Sequence, residues 1–337
     1  MKKPHNLILL IVSILFSVLI IEALLRIFDL QPTYSFKKGL FVEDARYGYR
    51  FASSVTKSHS QLDYRYTITT HSLGFRGKAP NYTAKYKVLV LGDSIGMGQG
   101  VSEEKGFCSL AQSYFHTQGL DVDIFNTSIP GYSCVNELGV LKGQIKEYLP
   151  GLVILIFSWN DVGVNHSTIV QNGYLKLSED NSVVASLREW LNNYSRLFCL
   201  IKRFSYIDRK MPIRRSGFDK EDIEETAGYI KEMKEICDKN DADFVVVINP
   251  KDYIQEPLDT FLNSKAYFIT LLKERSISFR DWQLLLPDDE RQALVFRHDP
   301  HLNEEGNRYF SKPFIEIISD AFEKIGDGSA AEFRTVP

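Results

Sequence analysis

The feature that most constrains this chain is a series of short apolar runs, rich in Val, Ile and Leu, separated by segments of helical length. Residues 86–91 read Tyr-Lys-Val-Leu-Val-Leu and residues 152–157 read Leu-Val-Ile-Leu-Ile-Phe, while residues 122–126 and 243–249 form two further runs. A strand with one face in water alternates apolar and polar residues; a run that is apolar throughout must be covered on both faces, as in a parallel sheet between helices. The intervening residues 107–116, 133–148, 219–239, 257–274 and 304–325 read as the covering helices. The pattern therefore predicts an α/β fold, three-layer α/β/α with a mostly parallel sheet. Residues 186–204 form an amphipathic, aromatic insertion between the third and fourth strands, read as one more covering helix.

The N-terminal residues carry a second strong signal. Residues 7–21 are apolar except for Ser13 and Ser17, and the run continues past Glu22 through Ala23, Leu24 and Leu25 to Arg26. About 20 apolar residues cross the hydrocarbon core of a bilayer, so this run suffices, with Glu22 near an interface. A cleaved signal peptide is the competing reading, but it needs small residues at its cleavage site, and Glu22-Ala23-Leu24-Leu25-Arg26 offers bulky ones. Lys2 and Lys3 precede the run, which predicts a single-pass protein with its bulk outside the cytoplasm. The expected organisation is a transmembrane anchor over 1–28, an extended stalk and lead-in over 29–84 that packs onto the main domain, an α/β domain over 85–325 and a loose tail over 326–337. Within the lead-in, residues 64–69 alternate like a strand, and Gly74 and Gly77 mark turns.

Charge and cysteine content remove several function classes. The net charge of −3 provides no basic surplus for nucleic acid or for a polybasic membrane surface. The four cysteines (Cys108, Cys134, Cys199 and Cys237) form no CxxC pair and no cluster of zinc spacing. They are compatible with up to two disulfides or with buried free thiols. No cofactor and no metal is expected.

The residues suited to chemistry stand at the ends of the apolar runs. The first run breaks into Gly92-Asp93-Ser94-Ile95-Gly96-Met97-Gly98, placing a serine among small neighbours at the carboxyl edge of the sheet, where open α/β sheets hold their ligands. The second leads into Asn126-Thr127-Ser128-Ile129-Pro130-Gly131, and the third into Ser158-Trp159-Asn160-Asp161. Backbone N–H groups at Ser94 and Gly131 and the amide of Asn160 are candidate donors to a developing oxyanion. His298-Asp299-Pro300-His301 precedes the last helix, a base and an acid able to fix its tautomer. Asp93 reads as a turn residue, Trp159 as packing, and His71, His116 and His166 have no partner at useful spacing. Neither the GxxxxGK[ST] phosphate loop nor the GxSxG elbow is present.

Taken in order, Gly92-Asp93-Ser94, Gly131, Asn160-Asp161 and Asp299/His301 resemble the four blocks of the SGNH/GDSL hydrolase family. The resemblance spans about residues 85–310, and Ser72-Leu73-Gly74-Phe75-Arg76-Gly77 looks like the lead-in of bacterial members with an N-terminal membrane segment. It implies Ser94 as nucleophile, His301 as general base, Asp299 as orienting acid, and Ser94, Gly131 and Asn160 as the oxyanion hole. Two positions depart from the pattern: Ser158 replaces a glycine in the third block, and His298 occupies the place three before the base where many members carry the acid. The implied function is a serine ester hydrolase working through an acyl-enzyme on an extracytoplasmic ester of the O-acylated glycan or lipid class. The same residues would serve an O-acyltransferase paired with a membrane acyl donor, and a non-catalytic envelope scaffold could retain the fold. The expected partners are that ester substrate and the membrane.

Overall fold

A computed structural model of the chain describes residues 4–163, 168–171, 173–177, 183–206, 214–215, 218–249, 255–256, 258–285 and 291–325. The expected C-terminal tail, His166 and the helix start at Pro257 lie outside the described residues. Five parallel strands form the central sheet: β1 (Tyr86–Gly92), β2 (Val122–Asn126), β3 (Leu152–Phe157), β4 (Asp243–Ile248) and β5 (Ser278–Asp281), in the order β5-β4-β3-β1-β2. The longer helices among the described residues are α1 (Pro4–Ile27), α2 (Phe107–Thr117), α3 (Cys134–Tyr148), α4 (Val183–Tyr194), α5 (Arg196–Tyr206), α6 (Lys220–Asp238), α7 (Leu258–Glu274) and α8 (Glu304–Ile325).

The three layers follow from side-chain alternation along strands that are apolar at every position. In β3, Val153, Leu155 and Phe157 join Leu89, Leu91 and Ile248 against α3, α6 and α7. Leu152, Ile154 and Ile156 face the other way, with Val88 and Val90, against α2 and α8. The edge strand β5 was not legible in the sequence. Its four residues are Ser-Phe-Arg-Asp, half exposed in alternation, because an edge strand at a sheet border needs little apolar surface. The insertion read as one helix is two, α4 and α5, broken at Ser195.

Residues after α1 pack onto the main domain, as the lead-in reading expects, but they are not extended. They fold into two antiparallel hairpins, Phe41–Asp44 with Gly48–Phe51 and Thr56–Ser60 with Arg65–Thr69. Phe41, Tyr49, Phe51, Tyr66 and Ile68 are buried in the same cluster as α3. The Tyr49 hydroxyl donates to the Pro130 carbonyl at 3.0 Å, and the Tyr132 hydroxyl donates to the Tyr49 carbonyl at 2.5 Å. The alternation of residues 64–69 is the strand Arg65–Thr69, while the other three strands, of four or five residues, show no clear period, and the aromatic side chains make the hairpins cover rather than spacer. All four cysteines are buried free thiols.

Asn6–Ile27 is a helix with mean hydropathy 3.0 over its most apolar window, none of it buried by the rest of the chain. At 1.5 Å per residue its 22 residues extend about 33 Å, enough to cross a membrane. Glu22, on the last turns of α1, accepts hydrogen bonds from Ser195 Oγ (3.2 Å) and from the backbone N–H groups of Arg196 (3.0 Å) and Leu197 (2.8 Å). Those N–H groups open α5 and have no partner within their own helix, so Glu22 caps it from a distant segment.

Candidate active site

The sheet order reverses beside β1. The chain leaves β1 for β2 on one side and returns to β3 on the other, which opens a crevice at the carboxyl ends of these strands. The loop after β1 enters it through a four-residue helix, Ser94–Met97, capped by Asp93, whose Oδ1 accepts the N–H of Ile95 at 2.8 Å. Gly96 allows the loop after β2 to approach: any side chain there would run into Ser128, and the Gly96 carbonyl accepts from Asn126 Nδ2 at 2.7 Å. Ser94 is held nearly buried at the bottom of the crevice. Gly131, on the loop after β2, has φ +80°, a conformation that costs a residue with a Cβ and not glycine. Asn160 lies in the tight turn Trp159–Asp161 that follows β3.

The loop before α8 brings His301 to Ser94. His301 Nε2 lies 2.7 Å from Ser94 Oγ. Asp299 Oδ1 accepts both the His301 backbone N–H, at 2.9 Å, and the ring Nδ1–H. A carboxylate only accepts, so Nδ1 carries the proton and Nε2 presents its lone pair to the serine hydroxyl. Burial alone would push the Asp299 carboxyl up, yet His301, its two N–H groups and the Tyr64 hydroxyl hold it well below the usual carboxylate range. The competing position, His298, is engaged elsewhere: Asp63 accepts from its backbone N–H and pairs with its ring Nδ1, both at 2.6 Å.

Among known proteins, no family model matches the chain. Over 78 residues it is 36% identical to an arylesterase of Vibrio mimicus and 32% identical to the esterase TesA of Pseudomonas aeruginosa. These alignments fall on a chain that holds the serine, glycine, asparagine and histidine blocks in order, at the ends of three parallel strands and before the last helix. In these blocks the chain resembles the SGNH/GDSL hydrolases. The alignments cover 23% of this chain and span 39% of the length of each curated relative. A solved structure of TesA covers 70% of the chain with a TM-score of 0.45 and 14% identity, and one of the acetyl xylan esterase AlAXEase covers 69% with 0.45 and 14%. The structures themselves are covered to 99% in both cases.

The four blocks are supported by residues that motif reading missed. Tyr64, from the second hairpin, donates to Asp299 Oδ2 at 3.1 Å and accepts from Gln99 Nε2 at 3.0 Å. Arg76 is buried and donates to the carbonyls of Met97 (3.1 Å), Gly98 (3.0 Å) and Val101 (2.7 Å), just past the serine. These carbonyls lack helical partners, and the guanidinium satisfies three at once. The one signal available in the sequence was Arg76 itself, a charge set between Phe75 and Gly77 in the lead-in block.

The unusual Ser158 also has a structural partner. It is fully buried, its hydroxyl accepts from Asn249 Nδ2, and its backbone N–H donates to Asp161 Oδ2 at 2.9 Å, tying the ends of β3 and β4 together. Asp93 does more than cap a turn, because its Oδ2 accepts from Asn160 Nδ2 at 3.2 Å. Trp159 is packed among Phe157, Phe218, Phe261 and Phe268.

Among the described residues the fold gathers a group that the sequence did not suggest. Cys134, Glu137 and Asp161 are fully buried, with their potential ligand atoms within 4.8 Å of one another. Burial, followed by the neighbouring acids, pushes both the Cys134 thiol and the Glu137 carboxyl well up.

Proposed function

We propose that this chain is a serine ester hydrolase acting through an acyl-enzyme, with Ser94 as nucleophile, His301 as base and Asp299 as the acid that orients it. The 2.7 Å approach of His301 Nε2 to Ser94 Oγ, with Asp299 on the opposite ring nitrogen, carries this reading. Ser94 Oγ attacks the ester carbonyl as its proton passes to Nε2. The imidazolium forms beside a carboxylate that stays ionised, and it returns the proton to the departing alkoxide. Water, deprotonated by the same nitrogen, then releases the acyl group from Ser94.

The oxyanion is assigned to the N–H groups of Ser94 and Gly131 and to the Asn160 amide. A primary amide has two N–H bonds. Asp93 takes one of them at 3.2 Å, which fixes the plane of the group and leaves the other for the substrate oxygen. The α1 helix is assigned as a retained anchor with the site outside the cytoplasm. Lys2 and Lys3 support that orientation. Glu22 supports retention, since cleavage beyond it would remove the cap of α5. An anchored site on that side favours O-acylated glycans or lipids as substrates.

The test is fluorophosphonate labelling of the purified full-length protein together with turnover of a small activated ester. Wild type should label and turn over, and Ser94→Ala should do neither. A folded wild type that resists the reagent would refute the assignment.

A further inference from the structure

We infer that α4 and α5 form a lipid-facing surface that lies in the interfacial layer of the bilayer beside α1. The inference rests on the reading of α1 as a retained membrane helix. Both helices are amphipathic the wrong way round for covering helices of a globular core. Val183, Leu187 and Trp190 recur at the 4- and 3-residue spacing of one helical face, yet they are 84%, 56% and 55% exposed. On α5, Ile201 and Phe204 repeat the spacing and are 59% and 66% exposed. Apolar side chains grouped and exposed this way call for an apolar partner.

The position of these helices identifies the partner as lipid. The break between α4 and α5 is bound to the last turns of α1: Glu22 caps α5, Arg26 donates to the Tyr194 carbonyl, and Arg196 donates to the Leu25 carbonyl at 3.0 Å. Arg196 and Arg65 both reach Asp29, just beyond α1, at 2.7 Å. The exposed apolar faces thus start at the level where α1 leaves the hydrocarbon layer, and its lipid-facing surface continues into them. Interfacial helices have this composition: an aromatic and several aliphatic side chains immersed to the level of the headgroups, with basic residues beside them. Arg188 and Arg203 are exposed on α4 and α5 and fit anionic headgroups. A second docked patch besides α1 would keep the hydrolase from pivoting on a single helix and hold its crevice at a fixed height over the membrane.

Tryptophan fluorescence offers a direct test, because Trp159 and Trp282 are buried in the core and Trp190 is exposed. The full-length protein is reconstituted in phosphatidylcholine–phosphatidylglycerol vesicles with and without brominated acyl chains, and its retention is checked by carbonate extraction. Brominated lipid should remove most of the Trp190 emission, defined as the difference between wild type and Trp190→Phe, and acrylamide should remove little. If the protein resists carbonate but Trp190 is quenched by acrylamide and not by brominated lipid, the docking surface is overturned while the anchor stands. Release by carbonate without brominated-lipid quenching overturns both.

Discussion

Replacing Asp299 by Asn is the sharpest probe of the site, because the surrounding hydrogen bonds dictate how the amide must sit. The backbone N–H of His301 is fixed on Oδ1 at 2.9 Å, so an NH₂ group there would oppose a donor to a donor. The amide oxygen is therefore held toward His301, with Nδ2 turned to the Tyr64 hydroxyl, which can accept. Geometry and tautomer survive, and what is lost is the negative charge beside the imidazolium of the transition state. Two unit charges about 4 Å apart at an effective dielectric of about 20 interact by about 4 kcal/mol, or about three powers of ten in rate. We expect kcat/KM on p-nitrophenyl acetate to fall by about 10³ in Asp299→Asn, with KM little changed. His298→Asn should leave kcat nearly intact and lower stability instead, since it disturbs the pairing with Asp63. A loss below tenfold in a folded Asp299→Asn, or a larger loss in His298→Asn, would refute the assignment of the acid.

Three further outcomes follow from individual environments. Asn160→Ala should slow fluorophosphonate labelling and ester turnover by about 10²–10³ without abolishing either, the usual effect of one missing oxyanion donor; equal rates in the two proteins would remove Asn160 from the site. His59 is stacked on Phe36 at 3.8 Å, and its burial lowers its pKa from 6.5 to about 4. Below pH 6.5 the unfolded chain takes up a proton that the folded chain refuses, so stability should drop by about 3 kcal/mol between pH 6.5 and 4. Urea unfolding of wild type and His59→Phe at pH 7 and pH 4 checks this, and parallel losses in both would contradict it. For Glu137, raised by burial and then by Asp93, the sign is opposite: above its ordinary 4.5 the unfolded chain releases a proton that the folded chain retains. Glu137→Gln should therefore gain thermal stability over wild type progressively from pH 5 to pH 8, and a constant gap would rule out a neutral buried acid.

The sequence alone determined what depends on neighbours along the chain. Unbroken apolar runs specified strands buried on both faces, helical spacing specified their covers, and the breaks at Gly92, Asn126 and Phe157 marked the edge where reactive residues could stand. An edge strand such as β5, or a hairpin such as Phe41–Asp44 with Gly48–Phe51, carries too short a pattern for its period to be read. Ser195, which divides the insertion, is an ordinary residue until Glu22 is seen capping the helix that follows it. Asp299 was chosen over His298 from the sequence, but the partners that engage one and buttress the other, Asp63 and Tyr64, each lie 235 residues away. Arg76 could be quoted from a motif, but its purpose lay in three carbonyls that only the packed hairpins bring to it. Tertiary structure decided these pairings because a hydrogen bond is specified by position and direction in space, and a local sequence pattern encodes neither across two hundred residues.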